Sequence, residues 1–359
     1  MNTSPVFTVI TPDASKDFEG QMNDLHTKVC NWLQANALSA ANLLAARVYF
    51  SDLANQHEAF FASRLYSAVL SAGAVSAIEQ PPLDGAKVAL QLWFNRCGDF
   101  QKKGTSDKLI AAYGGAECLF QSVRFSVEDA EKKDTFKQTA EAFGRHIDEL
   151  SARGMTLEAN CHRTWIYVRD IDRHYAAVVK ARNELFDREG LTADNHYIAS
   201  TGIGGYPDNA GATVSVDFFS AKGDGVAKVK YLHATDYLNP THEYGVAFER
   251  ATEVDMPDGR FVFVSGTASI DKHGDCLYRG DVVKQAERLF LNIEKLLENA
   301  HQRLSNLQYV IVYLRDVSDY VRIRTYLDSR FSSLPYLIVE ARVCRPEWLI
   351  EVEGVAVAD

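Results

Sequence analysis

The chain has no run of 18 or more apolar residues, no C-x-x-C pair, no H-x-H or H-E-x-x-H spacing and no block of like charge. The first absence removes the membrane-spanning class. The second leaves six scattered cysteines (Cys30, Cys97, Cys118, Cys161, Cys276 and Cys344) with no signal peptide read before them, so reduced thiols and a cytoplasmic location are expected. None of the ten histidines stands in a ligand spacing, and Cys161-His162 lacks a second pair nearby, so no metal is expected. With 48 acidic against 38 basic residues and a net charge of −10, neither nucleic acid nor an anionic membrane is an expected partner. An anionic substrate would need a few locally placed arginines to oppose that global field.

What is present is a core-forming composition, 47% hydrophobic over 359 residues, which is longer than one ordinary domain and points to two or three modules. A strand of apolar character ending in an acidic turn recurs three times, as AARVYFSDL (45–53), RTWIYVRDI (163–171) and VIVYLRDV (310–317). An amphipathic helix follows each copy: HEAFFASRLYSAVLSAG from His57, HYAAVVKARNELFDREG from His174 and DYVRIRTYLDSRF from Asp319. Another precedes each, marked by Phe18, Met22, Leu25, Val29, Trp32 and Leu33 in the first copy and by Phe136, Phe143, Ile147 and Leu150 in the second. In the third, Ala286, Leu289, Phe290, Ile293, Leu296 and Leu297 form the stripe, with Asp281 as N-cap.

Each unit is therefore one sheet with two helices over one face, and the other face needs cover. Packing three sheets together provides it. The expected fold is α+β, three modules fused into a pseudo-trimer, spanning residues 1–103, 104–234 and 235–359.

The third module resembles the YjgF-type family of reactive-intermediate deaminases through FVFVSGTASIDKHGD (261–275), DVVKQAERLFLNIEKLLENA (281–300), VIVYLRDVSDY (310–320) and WLIEVEGVAVA (348–358). That family forms homotrimers with sites at the seams, which three modules in one chain would mimic as a monomer. From Arg163 to Glu353 the chain also resembles the chorismatase family, through RTWIYVRDID, VVKARNELF, HYIASTGIGG, VKYLHATDYLNPTHEYGVAFERAT, VSGTASID, IVYLRD and VCRPEWLIEVE in that order. The resemblance implies chorismate as the small-molecule substrate, pyruvate as one product, and no cofactor. The first hundred residues share only the repeat architecture.

Chorismate carries two carboxylates and an enol ether whose methylene carbon must be protonated before the ether breaks, so one dry acid is the minimum equipment. In IEVE the period of two sends Glu351 and Glu353 to one sheet face, and either qualifies. The matching strands of the other modules read VALQLWF (88–94) and TVSVDFF (213–219), so a carboxylate at the first position is peculiar to module three. The resemblance also selects Glu351 as catalytic. Arg163 and Arg345 are the candidate carboxylate clamps, because a guanidinium makes two parallel charge-assisted bonds. Arg315 and its counterpart Arg169 suggest a repeated structural task.

The glycines of HYIASTGIGG lack the G-x-G-x-x-G spacing and precede a strand, which excludes a dinucleotide loop. Ser200, Thr201 and Gly202 are instead candidates for holding a carboxylate or ring hydroxyl. The resemblance adds Tyr231 and Tyr244 at the substrate-facing edge, with Ala268 and Cys344 as small pocket groups. Cys344 has no local histidine and is not expected to be a nucleophile. In that family the residues at the Ala268 and Cys344 positions go with the product. The expectation favours 3-hydroxybenzoate, with 4-hydroxybenzoate or a dihydroxycyclohexadiene carboxylate as alternatives. A YjgF-type imine or enamine deaminase is a rival reading, but the arginine it requires about fifteen residues before the terminal glutamate is replaced by Tyr336. A non-catalytic ligand-binding pseudo-trimer is the other.

Overall fold

The computed structural model describes residues 4–358, the side chain of Tyr244 excepted. Module one runs β1 (Val6–Ile10), α1 (Phe18–Ala35), β2 (Leu43–Phe50), α2 (Leu53–Phe61), α3 (Arg64–Ala68), β3 (Ala74–Glu79) and β4 (Val88–Phe94). Module two follows with β5 (Gln101–Gly104), β6 (Lys108–Tyr113), β7 (Ala116–Val123), α4 (Val127–Glu131), α5 (Thr135–Ser151), α6 (Leu157–Asn160), β8 (Cys161–Val168), α7 (Ile171–Arg188), β9 (Ala199–Gly204) and β10 (Val214–Lys222). Module three comprises β11 (Lys228–Leu232), β12 (Ala251–Met256), β13 (Gly259–Thr267), α8 (Val282–Asn299), β14 (Leu307–Leu314), α9 (Tyr320–Arg330), β15 (Tyr336–Glu340) and β16 (Ile350–Ala358). No helix of the described residues is long and apolar enough to cross a membrane.

Three sheets result, in the orders β1-β4-β2-β3, β5-β6-β7-β10-β8-β9 and β11-β12-β13-β16-β14-β15. The recurring strands β2, β8 and β14 pair parallel with β3, β9 and β15, because a helix carries the chain back across the sheet. They pair antiparallel with β4, β10 and β16 in one shared register. Tyr49 faces Ala89, Tyr167 faces Ser215 and Tyr313 faces Glu351. Two residues along, Arg47 faces Gln91, Trp165 faces Asp217 and Ile311 faces Glu353. The three modules are thus superposable residue by residue where the site lies.

Local chemistry sets the helices. Asp17, Asp134 and Asp281 cap α1, α5 and α8 by accepting from the backbone N–H groups of Gly20, Lys137 and Lys284. The expected single helix from His57 is broken instead. Ser63 accepts from the Tyr66 N–H and starts α3, so a serine cap interrupts what apolar spacing alone reads as continuous.

Each sheet has its own core against its helices, and the opposite faces meet in a shared centre. Trp93 lies there with its ring centroid 5.0 Å from Phe120, 5.2 Å from Phe219 and 5.5 Å from Phe261, touching all three modules at once. Sheet membership moves the expected joins. Residue 103 falls inside β5, which pairs with β6, and β11 pairs with β12 ahead of the join expected after 234. The second crossing is at Gly223-Asp224-Gly225, where Gly223 has φ +106° and an added Cβ would lie 2.2 Å from the Gly115 carbonyl oxygen. KVKYL continues the strand-like composition of β10, so alternation could not separate two strands of different sheets.

Candidate active site

Glu351 and Glu353 project from one face of β16, as the strand period requires, and both are buried, at 4% and 1% exposure. Their surroundings differ. Glu353 Oε1 accepts from Arg47 Nη1 at 2.5 Å and Trp165 Nε1 at 2.9 Å, while Oε2 accepts from Arg163 Nη2 at 2.7 Å. Both guanidinium carbons lie over the Trp165 ring, 4.7 and 4.8 Å from its centroid. Burial opposes the Glu353 charge, yet Arg47 and Arg163 hold its carboxyl below the usual range.

Glu351 has no such clamp. One residue extra in β13, between Val264 and Thr267, makes a bulge against β16, and its Gly266 lies under the Glu351 carboxyl. A Cβ there would be 2.1 Å from Glu351 Oε1. Burial, reinforced by the charge of Glu353 and opposed by Arg163 and Arg250, pushes the Glu351 carboxyl up to about 8. That shift favours its protonated form at neutral pH.

Glu351 lines a cavity of about 360 Å³ at the seam of modules two and three. Helix α7 contributes Tyr175 and Arg182, β9 contributes Ser200 and Gly202, and the segment before β12 contributes Val246, Phe248 and Arg250. Ala268 and Ile270 follow the bulge, and Cys344, Arg345 and Trp348 precede β16. Arg182 is 1% exposed on the apolar side of its helix. Arg250 donates to the Asn239 carbonyl oxygen at 2.9 Å and lies over the Phe248 ring, which fixes its direction. The Arg345 guanidinium stacks over Trp348 at 5.1 Å. A neutral carboxyl therefore sits in a largely apolar chamber with three arginines on its walls. That arrangement suits protonation of a bound, multiply anionic molecule.

Of the residues singled out in the sequence, Glu351, Arg345, Ser200, Gly202, Ala268 and Cys344 meet at this cavity. Four do not. Arg163 is fully buried behind the wall, and Glu353 and Thr201 occupy it, which corrects its reading as a substrate clamp. Thr201, one step along β9 from Ser200 and Gly202, points to the opposite face, where its Oγ1 accepts from Arg163 at 2.5 Å and from the Gly266 N–H at 3.0 Å. Tyr231 stacks on His196, with ring centroids 3.8 Å apart, and is no part of the cavity wall. The Tyr244 side chain lies outside the described residues. Burial pushes the Cys344 thiol well up, so it stays protonated. Arg315 and Arg169 do hold structure: Arg315 bonds Asp172 of module two, and Arg169 bonds the carbonyl oxygens of Ala212 and Asn209.

Arg182 was missed although a signal existed. It interrupts the buried stripe Val178, Ala181, Leu185 and Phe186 of α7, a place where an arginine is rare without a task. Arg250 and Gly266 had no such signal, lying in an irregular segment and at a bulge.

The Endoribonuclease L-PSP family model matches residues 247–358. A RutC family protein of Pyrococcus abyssi is 32% identical over 100 residues, covering 27% of this chain and 79% of that protein. The chain belongs to the RutC family. The family-model match lies within module three, and the likeness to a second group of proteins extends over more of the chain. A chorismatase of Streptomyces hygroscopicus is 27% identical over 212 residues, covering 54% of this chain and 60% of that protein. A crystal structure of chorismatase superposes with a TM-score of 0.68 at 19% identity, covering 99% of this chain and 98% of that one. Three RutC-like modules in one chain therefore adopt the chorismatase fold.

Proposed function

We propose that the chain is an enzyme that cleaves chorismate, releasing pyruvate, with Glu351 as its acid. The carrying observation is a buried carboxyl, pushed up to about 8, on the wall of a cavity shared with Arg182, Arg250 and Arg345. Glu351 delivers its proton to the enolpyruvyl methylene carbon, leaving an oxocarbenium centre next to the ether oxygen. A water that captures that centre forms a hemiketal, which collapses to pyruvate and the ring diol. In the aromatic route the neighbouring ring hydroxyl displaces pyruvate at the ether-bearing ring carbon, and loss of a ring C–H proton then aromatises the ring and restores the proton of Glu351. The arginines hold the two substrate carboxylates against a protein of net charge −10. Apolar walls from Val246, Phe248, Ala268, Ile270 and Trp348 disfavour capture by water, which favours 3-hydroxybenzoate as the aromatic product. A deaminase reading has less support, because Tyr336 lies outside this cavity with its hydroxyl bonded to Asp328. A cytoplasmic monomer is the proposed form, since the modules already complete one trimer.

Incubating the protein with chorismate and resolving the organic acids tests function and product together. Pyruvate should appear with 3-hydroxybenzoate; no pyruvate would end the proposal, and 4-hydroxybenzoate or a dihydroxycyclohexadiene carboxylate would correct the product. Because the active form of Glu351 is protonated, kcat should be flat below and fall as pH rises through about 8.

One substrate should bind per chain. The counterparts of Glu351 are Ala89 and Ser215, and at the seam of modules one and two Arg124 and Ser76 occupy Asp217. Calorimetric titration of chorismate into a catalytically slow variant should saturate near one equivalent, whereas three equivalents would mean that all seams retain sites.

A further inference from the structure

The acid has a neighbour that this mechanism leaves unused. Glu353 lies two residues along β16 on the same face, about 7 Å away in extended chain. Its three donors come from two other modules: Arg47 from module one, and Arg163 and Trp165 from module two. Arg47 is itself braced, donating to Gln91 Oε1 at 3.1 Å and to the Tyr309 hydroxyl at 2.9 Å. Among the described residues no salt bridge joins Glu351, whose carboxyl faces the cavity over Gly266. Two carboxyls this near in a dry site do not both ionise readily, and the one holding the guanidinium groups keeps the charge.

We infer that Glu353 is a positioning residue for the proposed chemistry: a fixed buried anion, held by Arg47 and Arg163, that keeps Glu351 in its acid form. The inference rests on reading Glu351 as the acid. It gives module one, which supplies no cavity wall, a part in the site through Arg47. The clamp alone is inherited structure, since Asp217 repeats it with Arg124 and Ser76 at the neighbouring seam. There the residue two positions earlier is Ser215, so no proton depends on it.

Tyr49, Tyr167, Tyr309 and Tyr313 surround Glu353, and burial keeps their phenols neutral. Glu351 meets the protonated thiol of Cys344, while Arg163 and Arg250 favour its charged form, and Arg182 and Arg345 share its cavity. Removing the Glu353 charge takes away the group that counters the pull of Arg163 and Arg250 on Glu351.

Glu353→Gln is therefore expected to move the alkaline limb of kcat down by about one pH unit or more, with kcat at pH 8 falling more than KM changes. Glu353→Asp, which keeps the charge, should leave the limb near its parental place. Infrared spectra of protein with 13C-labelled glutamate read the carboxyl without turnover. A protonated-carboxyl band should be present in the parent at pH 7, lost in Glu351→Gln and reduced to about half or less at pH 7 in Glu353→Gln. An unmoved limb in Glu353→Gln, or a parental band that belongs to Glu353 instead, would overturn the inference. Should Glu353→Gln not fold, the parent decides: neutral Glu351 beside ionised Glu353 supports it, and the reverse order overturns it. The spectra need no substrate, so failure of chorismate cleavage and failure of this charge order are told apart.

Discussion

Glu351→Gln is expected to lower kcat for pyruvate release from chorismate by about 10³-fold while the dissociation constant for chorismate changes little. Glutamine fills the same space over Gly266 and offers hydrogen bonds, but it has no proton to deliver to carbon. The arginines that hold the substrate are untouched by the change, since Arg182 stands on α7 and Arg250 before β12. Single-turnover pyruvate formation and calorimetric binding give the two numbers separately. Parental turnover in this variant would remove Glu351 from the chemistry, and a lost binding signal with it would mean that the carboxyl holds the substrate instead of protonating it.

Gly266→Ala should also impair catalysis, without removing any polar group. The new methyl would lie 2.1 Å from Glu351 Oε1 and 2.9 Å from its Cδ, so the carboxyl must swing away. The obstruction is the far end of a side chain, and Gly266 is not among the glycines with positive φ, so the backbone tolerates alanine. The fold should persist while kcat falls about 100-fold, the effect of moving a reacting group by an ångström or more. Circular dichroism and the melting temperature test the first half, and pyruvate release tests the second. A variant with parental kcat would show that the carboxyl does not work from its place over the bulge.

Much of this was legible from residues alone. The three recurring strands, the cap Asp281, and the placement of Glu351 and Glu353 on one face follow from local spacing, periods of two and of three to four, which neighbours along the chain enforce. Comparison of IEVE with VALQLWF and TVSVDFF singled out residue 351, because pseudo-symmetry subtracts what every module needs. Arg182 could have been read in the same way, as a charge inside an apolar stripe. The break at Ser63 was hidden because a serine cap and a solvent-facing serine look alike in one helical pattern.

Arg163 marks the boundary of such reading. It has the residue type and the seam position of a substrate clamp, yet Glu353, 190 positions later, takes its guanidinium. Pairings of that kind depend on how three sheets pack, and no local pattern encodes which of two carboxyls a distant arginine will meet. The chain's own order of residues settled its recurring strands, most of its helices and the strand face that carries Glu351, since these arise from contacts a few residues apart. Packing across the seams settled which carboxyl is clamped and which stays neutral, because burial and Coulombic fields are sums over groups that only folding brings together.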